Sequence, residues 1–142
     1  MSKGKLSGPA FRLGLALTAA LAGALPAGAQ QRLRPGLYTG EYLCAQGPTA
    51  LRLAVEATGG RRQIGVFDFG GNAAVPLGAY TVRVSRTRHG SYRLTPLRWI
   101  RRPEGYVMVG ALLRRRAGGF SGRITNPLCG AIDLQGPVTA PA

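Results

Sequence analysis

The side chains that could carry acid–base or nucleophilic chemistry are few in this chain and stand apart from one another. There is a single histidine, His89, and the five acidic residues occur one at a time, without paired-carboxylate or Glu-x-x-His spacing. General acid–base catalysis needs a titratable group and a partner that orients it, and zinc needs three or four ligands. His89 falls in a predicted hairpin loop, where a solvated turn residue is expected. The sequence therefore predicts no catalytic residue, no metal site and no cofactor.

Aromatic and arginine residues are concentrated around one predicted turn. Trp99, Arg101, Arg102 and Tyr106 fall within eight positions, and these residue types often dominate binding hot spots. A hairpin here would place Tyr106 opposite one of the two arginines, which predicts an arginine-over-ring contact of about 0.5–1 kcal/mol. Such a group suits sugar rings or an acidic polymer. In the alternative interpretation, Trp99 is the core tryptophan of a small barrel and both arginines are solvated.

A second candidate surface is the face of a predicted hairpin that carries Arg83 and Arg93. Removing three basic residues of a predicted leader from the 19 in the chain leaves 16 arginines, five acids and a net charge of +11. A field of this sign favours an anionic envelope polymer or an acidic protein, with no specific nucleic acid indicated. Compositional bias toward arginine would give the same count, so both explanations stay open.

The first 29 residues have the layout of a secretory signal peptide. A basic start ending at Arg12 precedes an apolar run from Leu13 to Leu25, and Ala27-Gly28-Ala29 supplies a cleavage site before Gln30. The run is too short for a good membrane span. We expect a signal-peptide helix before cleavage and a periplasmic or secreted domain afterwards, with no transmembrane segment. The predicted divisions are 1–29 signal peptide, 30–36 short linker, 37–136 β-domain and 137–142 disordered tail.

Cys44 and Cys129 are the only cysteines. In an exported chain an even number of cysteines predicts a disulfide. A bond that closes a loop of 85 residues is worth roughly 4–5 kcal/mol in the chain-entropy description.

After residue 36 the hydrophobic pattern has a period of two, and clusters of glycine and proline interrupt it every eight to twelve residues. This spacing predicts an all-β fold, a single antiparallel barrel or sandwich-like meander of about eight strands. The predicted strands are 37–44, 49–57, 62–69, 79–86, 91–96, 97–102, 106–113, 120–125 and 131–134, with 114–119 as a turn.

One hairpin register can be derived from its loop. A three-residue loop of Arg88, His89 and Gly90 pairs Val84 with Leu94 and keeps the apolar residues on one face. Gly90 then takes the left-handed position that such loops require.

Three further stretches carry a recognisable pattern. They are Tyr38-x-Gly40-x-Tyr42-x-Cys44-x-Gln46-Gly47, Trp99-Ile100-x-Arg102-Pro103-x-Gly105-Tyr106-Val107-Met108-Val109-Gly110, and Gly122-Arg123-Ile124 with Cys129-Gly130. Together they resemble a group of small exported bacterial β-domains without an assigned activity. Tyr42-x-Cys44 and the architecture are also loosely similar to periplasmic lysozyme inhibitors, which are small disulfide-closed barrels. The resemblance implies one β-domain with a disulfide and supplies no catalytic residues.

These patterns favour an exported, non-enzymatic binding domain whose partner is an anionic envelope component or a protein. The alternatives are a lipocalin-like carrier of a small ligand and a periplasmic enzyme inhibitor. The bulky residues suffice to fill a small core, which disfavours an enclosed ligand cavity. Oligomeric state is not readable from the sequence.

Overall fold

The chain folds as a closed antiparallel barrel of eight strands. The computed structural model describes residues 32–57 and 62–138, so the predicted signal peptide lies outside the described residues. Each strand pairs with the next, and β1 pairs with β8 to close the sheet. The all-β prediction is confirmed, as a barrel rather than a sandwich. The strands are β1 Gly36–Cys44, β2 Gly47–Val55, β3 Gln63–Phe69, β4 Gly78–Arg86, β5 Tyr92–Arg101, β6 Ala111–Arg116, β7 Gly119–Ile124 and β8 Ala131–Val138.

Alternation along the strands sends apolar residues into the barrel and polar residues out. In β2, Leu51, Leu53 and Val55 are buried while Arg52 and Ala54 between them are exposed. Strand β1 pairs with both β2 and β8, so neither terminal strand has an unpaired edge.

The predicted β4–β5 register is confirmed. Val84 lies opposite Leu94, and Gly90 has a φ of +80° in the connecting turn. The backbone N–H of Thr87 donates to the carbonyl oxygen of Ser91 at 2.8 Å, which closes the loop.

The predicted hairpin of 97–102 with 106–113 is wrong. Strand β5 runs unbroken through Pro96, and its pairing with β6 ends at Leu94 opposite Ala111. Proline has no N–H for a second ladder, which agrees with the loss of pairing from that point. Residues 102–110 therefore form a loop across one end of the barrel, because Tyr106 and Val109 pack inward.

Two other boundaries differ from the prediction. The expected turn at 114–119 is the last half of β6, a two-residue turn and the start of β7. The arginines of β6 have partners on neighbouring strands, which stabilises this segment as a strand. Arg116 forms an ion pair with Asp133 of β8, and the guanidinium carbon of Arg115 lies 5.4 Å from the centre of the Phe120 ring. Strand β8 also continues to Val138, past the predicted strand end.

The segment before β1 closes one end of the barrel. Leu33, which falls in the predicted linker, is fully buried. Its N–H donates to Oε1 of the buried Gln63 at 2.9 Å, and Nε2 of Gln63 donates back to the Leu33 carbonyl oxygen. The Tyr38 hydroxyl donates to the carbonyl oxygen of Arg34 at 2.7 Å. We call this the plugged end.

A disulfide between Cys44 and Cys129 holds the opposite end, as predicted. It joins the end of β1 to the loop between β7 and β8. The N–H of Gly130 donates to the carbonyl oxygen of Leu43 at 2.8 Å and ties the same two segments together. We call this the disulfide end.

Candidate binding surfaces

The six residues predicted to bind a partner lie on two surfaces. Trp99 and Tyr106 belong to an aromatic cluster at the disulfide end. The arginines face the outside of the barrel wall on β4 and β5 or, for Arg102, follow β5 directly. The predicted residues are Trp99, Arg101, Arg102, Tyr106, Arg83 and Arg93.

The aromatic cluster is centred on Phe69. Its ring stacks on Tyr106 with centroids 5.7 Å apart and meets the edge of Trp99 at 6.3 Å. Trp99 also contacts Tyr80 edge to face at 5.2 Å. Trp99 is therefore half-buried at the margin of the core, which supports the interpretation of this residue as a packing tryptophan.

The predicted arginine contact has a different partner. The guanidinium carbon of Arg102 lies 5.8 Å from the centre of the Trp99 ring. Tyr106 instead stacks on Phe69. The expected pairing fails because it depended on the hairpin that does not form.

The loop above this cluster is held by a buried tyrosine. The Tyr80 hydroxyl donates to the carbonyl oxygen of Val109 at 2.7 Å and accepts from the N–H of the same residue at 3.1 Å. The N–H of Thr125 donates to the carbonyl oxygen of Gly110 at 2.9 Å. Residues 106–110 are thus fixed by partners on two other strands or loops, so the end of the barrel keeps its shape.

A half-open cleft lies beside this loop at the disulfide end. It has a volume of about 560 Å³, within the range typical of small-ligand sites. Its walls come from the β1–β2 turn, the β5–β6 loop and the β7–β8 loop. They include Tyr42, Gln46, Tyr106, Val107, Val109 and Leu128.

The cleft wall is neutral and mostly apolar. Burial raises the pKa of the Tyr42 hydroxyl far above its ordinary value, and nearby Tyr106 adds to the shift, while hydrogen bonds with Gln46 and Thr49 oppose it. Tyr42 therefore keeps its proton at physiological pH. No acidic residue lines the cleft in the described part of the chain.

Below the cleft, the barrel interior is filled by side chains. Tyr42, Phe67 and Tyr80 contact one another in series, with centroid distances of 5.5 and 4.8 Å. Toward the plugged end, Phe120 meets both Tyr38 and Tyr92 edge to face. The middle of the barrel is thus occupied by aromatic rings, and the cleft reaches only its mouth.

The outer wall of β4–β7 carries a band of arginines that we call the arginine face. Arg93 on β5 and Arg123 on β7 lie in one row, because each is opposite Leu112 of β6. Two strand spacings place their Cα atoms about 10 Å apart. The arginine face comprises Arg83, Arg93, Arg98, Arg101, Arg114 and Arg123.

Charge is segregated around the barrel. Between Asp68 and Asp133 the sequence holds eleven arginines and one acid, Glu104, which lies in the β5–β6 loop. In the described residues the two ion pairs are Arg52 with Asp68 and Arg116 with Asp133. Both lie outside the arginine face, so that surface keeps its positive charge.

A smaller depression of about 210 Å³ opens at the plugged end. Arg34, Arg115 and Arg116 line it together with backbone of the β6–β7 turn. Arg116 is engaged by Asp133, and the Arg115 guanidinium contacts the Phe120 ring and the Tyr92 hydroxyl. Two of its three cations are thus already satisfied within the protein.

The one histidine of the chain and the acidic residues can be located in the structure. His89 is exposed in the β4–β5 turn. Across residues 32–57 and 62–138 no three histidine, cysteine or acidic residues come close enough to share a metal ion. The same residues contain no helix that is long and apolar enough to cross a membrane.

Comparison with known proteins adds no relative: no family model, no curated protein and no solved structure matches the chain. The resemblance to small exported β-domains stays a prediction.

Sequence reasoning missed the cleft and half of the arginine face, namely Arg98, Arg114 and Arg123. The cleft is built from three loops separated by up to about eighty residues, and no local pattern reports their meeting. The row of Arg93 and Arg123 depends on the β5–β6–β7 register. The sparsity of acids between Asp68 and Asp133 was the one signal in the sequence that could have located this face.

Proposed function

We propose that this domain is a non-enzymatic binding protein of the cell envelope that holds an anionic polymer on its arginine face. The observation that carries the proposal is the segregation of charge: β4, β5, β6 and β7 contain no acidic residue, and no arginine of the arginine face takes part in either of the two ion pairs of the described residues. A field of one sign on one wall attracts and orients a partner of opposite charge.

The spacing of the arginines suits a partner with repeated charges. Arg93 and Arg123 lie two strands apart, and Arg114 is two residues along β6 from the leucine between them. A single small anion could engage only part of this surface. A polymer with a phosphate or carboxylate on each unit could engage several arginines at once, each by paired N–H donors.

Other features of the chain favour export, and the compartment determines which anions the domain can meet. The leader pattern and the Cys44–Cys129 bond both support export. Envelope polymers that carry phosphate or uronate groups are the anions that an exported domain meets at high density.

Two double variants with equal charge test the proposal. Arg93→Ala with Arg123→Ala removes two cations from the arginine face, and Arg34→Ala with Arg52→Ala removes two from elsewhere. Binding to short polyphosphate and to an oligouronate is measured by calorimetry or fluorescence anisotropy. We expect the first variant to bind about ten-fold more weakly than wild type, since each exposed contact is worth up to about 1 kcal/mol, and the second to change by less than two-fold.

The dependence of binding affinity on salt concentration tests the same proposal independently. Affinity for both polymers should fall steeply with ionic strength, because exposed charges are screened. Equal losses in the two double variants would assign binding to net charge and contradict the arginine face. Salt-independent binding would contradict an electrostatic mechanism altogether.

A further inference from the structure

Large apolar side chains are exposed mainly at one end of this barrel. Eight are exposed in the described residues, and two of them, Leu37 and Val138, lie opposite each other at the plugged end. The other six surround the disulfide end. We call them the apolar rim: Leu43, Leu77, Leu97, Ile100, Val107 and Leu128.

Two members of the rim are turned outward by irregularities in β5. Tyr80 lies opposite Trp99 but Ala79 lies opposite Arg101, so Ile100 is an extra residue in the ladder. Leu97 is extra in the same way between Pro96 and Arg98. A β-bulge re-aims a side chain. Here the two bulges leave Leu97 44% and Ile100 59% exposed.

The protruding loops contribute the most exposed members. Val107 of the β5–β6 loop is 62% exposed, and Leu128 of the β7–β8 loop is 74% exposed. Both loops are fixed in place, by Tyr80 in one case and by the disulfide in the other. Both residues line the cleft. Exposure of these apolar side chains to water is unfavourable, and contact with a partner surface would remove them from water.

Cations are interleaved with the rim. Arg98 and Arg101 are exposed beside the two bulged residues, and Arg102 follows them. Neither ion pair of the described residues involves these arginines. Glu104 is the one acid on the loop that follows, so the rim carries a net positive charge.

We propose that the disulfide end docks onto an anionic lipid leaflet. The rim residues sit on separate loops and strands around one end of a cylinder, so a flat surface can meet them together. Apolar groups that insert at the acyl boundary, flanked by arginines at the head-group level, are the two features of peripheral membrane binding. A protein partner would need matched pockets for side chains spread around the whole circumference.

The cleft gives the lipid a further contact. Two residues of the apolar rim, Val107 and Leu128, line it together with Tyr42 and Tyr106. A volume of about 560 Å³ accommodates part of an acyl chain. The first and last described residues, Arg32 and Val138, lie at the plugged end, which is opposite the cleft.

The docking shares Arg98 and Arg101 with the arginine face, but it does not use Arg93, Arg114 or Arg123 on the wall of β5–β7, so it can be tested separately from the polymer binding proposed above. The experiment uses vesicles of phosphatidylcholine alone and of phosphatidylcholine with one quarter phosphatidylglycerol. Trp99 is the only tryptophan in the chain, so its fluorescence reports the disulfide end directly. Lipids with brominated acyl chains quench a tryptophan that comes close to them.

We expect Trp99 to be quenched by brominated vesicles that contain phosphatidylglycerol and at least ten-fold weaker binding to neutral vesicles. Val107→Ser with Leu128→Ser should weaken binding about ten-fold. The matched control at the plugged end, Leu37→Ser with Val138→Ser, should change it by less than two-fold. Thermal unfolding of each variant shows that the barrel is intact.

Several results would overturn the docking. They are no vesicle binding, binding without quenching of Trp99, equal affinity for both vesicle types, or a larger loss in the plugged-end variant. A rim that instead binds a purified protein and ignores vesicles would also overturn it. The Arg93→Ala, Arg123→Ala variant separates the two proposals, since its polymer binding should weaken about ten-fold while it keeps at least half of its vesicle affinity.

Discussion

The two ends of the barrel are stabilised in different ways, and the difference indicates where a partner can bind. At the plugged end the chain inserts its own leucine, Leu33, and satisfies the backbone of that residue through Gln63. At the disulfide end, a covalent bond ties the end of β1 to the β7–β8 loop, and the Tyr80 hydroxyl fixes the β5–β6 loop. The first arrangement fills space and the second keeps space open in a fixed shape. A preformed opening costs little conformational entropy when a ligand enters.

The largest expected effect comes from breaking the covalent link. Replacing both Cys44 and Cys129 by serine should lower the free energy of unfolding by roughly 4–5 kcal/mol, because the bond closes a loop of 85 residues. Urea denaturation of the variant and of wild type measures the change, and reduced wild type serves as the matched control. Coincident midpoints for all three proteins would show that the bond does not stabilise the barrel.

The next largest loss of stability should come from removing the Leu33 side chain at the plugged end. Leu33→Ala removes a fully buried side chain and should cost about 2–4 kcal/mol in unfolding free energy. Leu37→Ala, four residues along and 37% exposed, is the control and should cost less than about 1 kcal/mol. If the two variants unfold alike, residues 32–36 are a linker after all and the contrast between the ends disappears.

Tyr80→Phe tests how the open end keeps its shape. The hydroxyl is bonded to both the N–H and the carbonyl oxygen of Val109, so its loss leaves two buried groups unsatisfied, at about 1–3 kcal/mol. Hydrogen exchange at the Val109 amide should accelerate. Tyr92→Phe is the control, since its hydroxyl has only a 3.5 Å contact with Arg115. An unchanged Val109 amide would mean that other contacts hold the loop.

The smallest effect is a pH dependence that also distinguishes the ends. Burial raises the pKa of Tyr42 and Tyr80 far above 10.0, and raises that of Tyr38 at the plugged end less. Above about pH 10 the unfolded chain loses these protons first, so stability should fall as pH rises, by up to about 1.4 kcal/mol per pH unit for each tyrosine. Denaturation between pH 9 and 11 measures the slope.

Tyrosine variants assign that slope. Tyr42→Phe should flatten it more than Tyr38→Phe. A greater flattening in Tyr38→Phe than in Tyr42→Phe, or stability that does not change up to pH 11, would contradict the difference in burial between the ends.

The sequence predicted an all-β meander of about eight strands, as a barrel or a sandwich, and one of its registers, because strand alternation and turn residues are local features. Alternation in β2 and the loop ending at Gly90 each depend on a few adjacent residues. The disulfide followed from a count of two cysteines. Each of these predictions needed no knowledge of distant contacts.

What the sequence did not reveal depends on distant contacts. Leu33 is a single apolar residue among polar neighbours, so no periodicity marks it as a plug. The turn at 103–105 resembles a hairpin, but Phe69 and Tyr80, on other strands, draw the following segment inward. The bulges at Leu97 and Ile100 appear only once β4 and β5 are paired.

The most direct test of the proposed binding function is an NMR titration with short polyphosphate that follows the side-chain Nε–Hε signals of the arginines. The account predicts that Arg93, Arg114 and Arg123 shift together and saturate at one concentration, while Arg34 and Arg52 stay in place. Equal shifts at Arg34 and Arg52, or no shift on the wall of β5–β7, would contradict it.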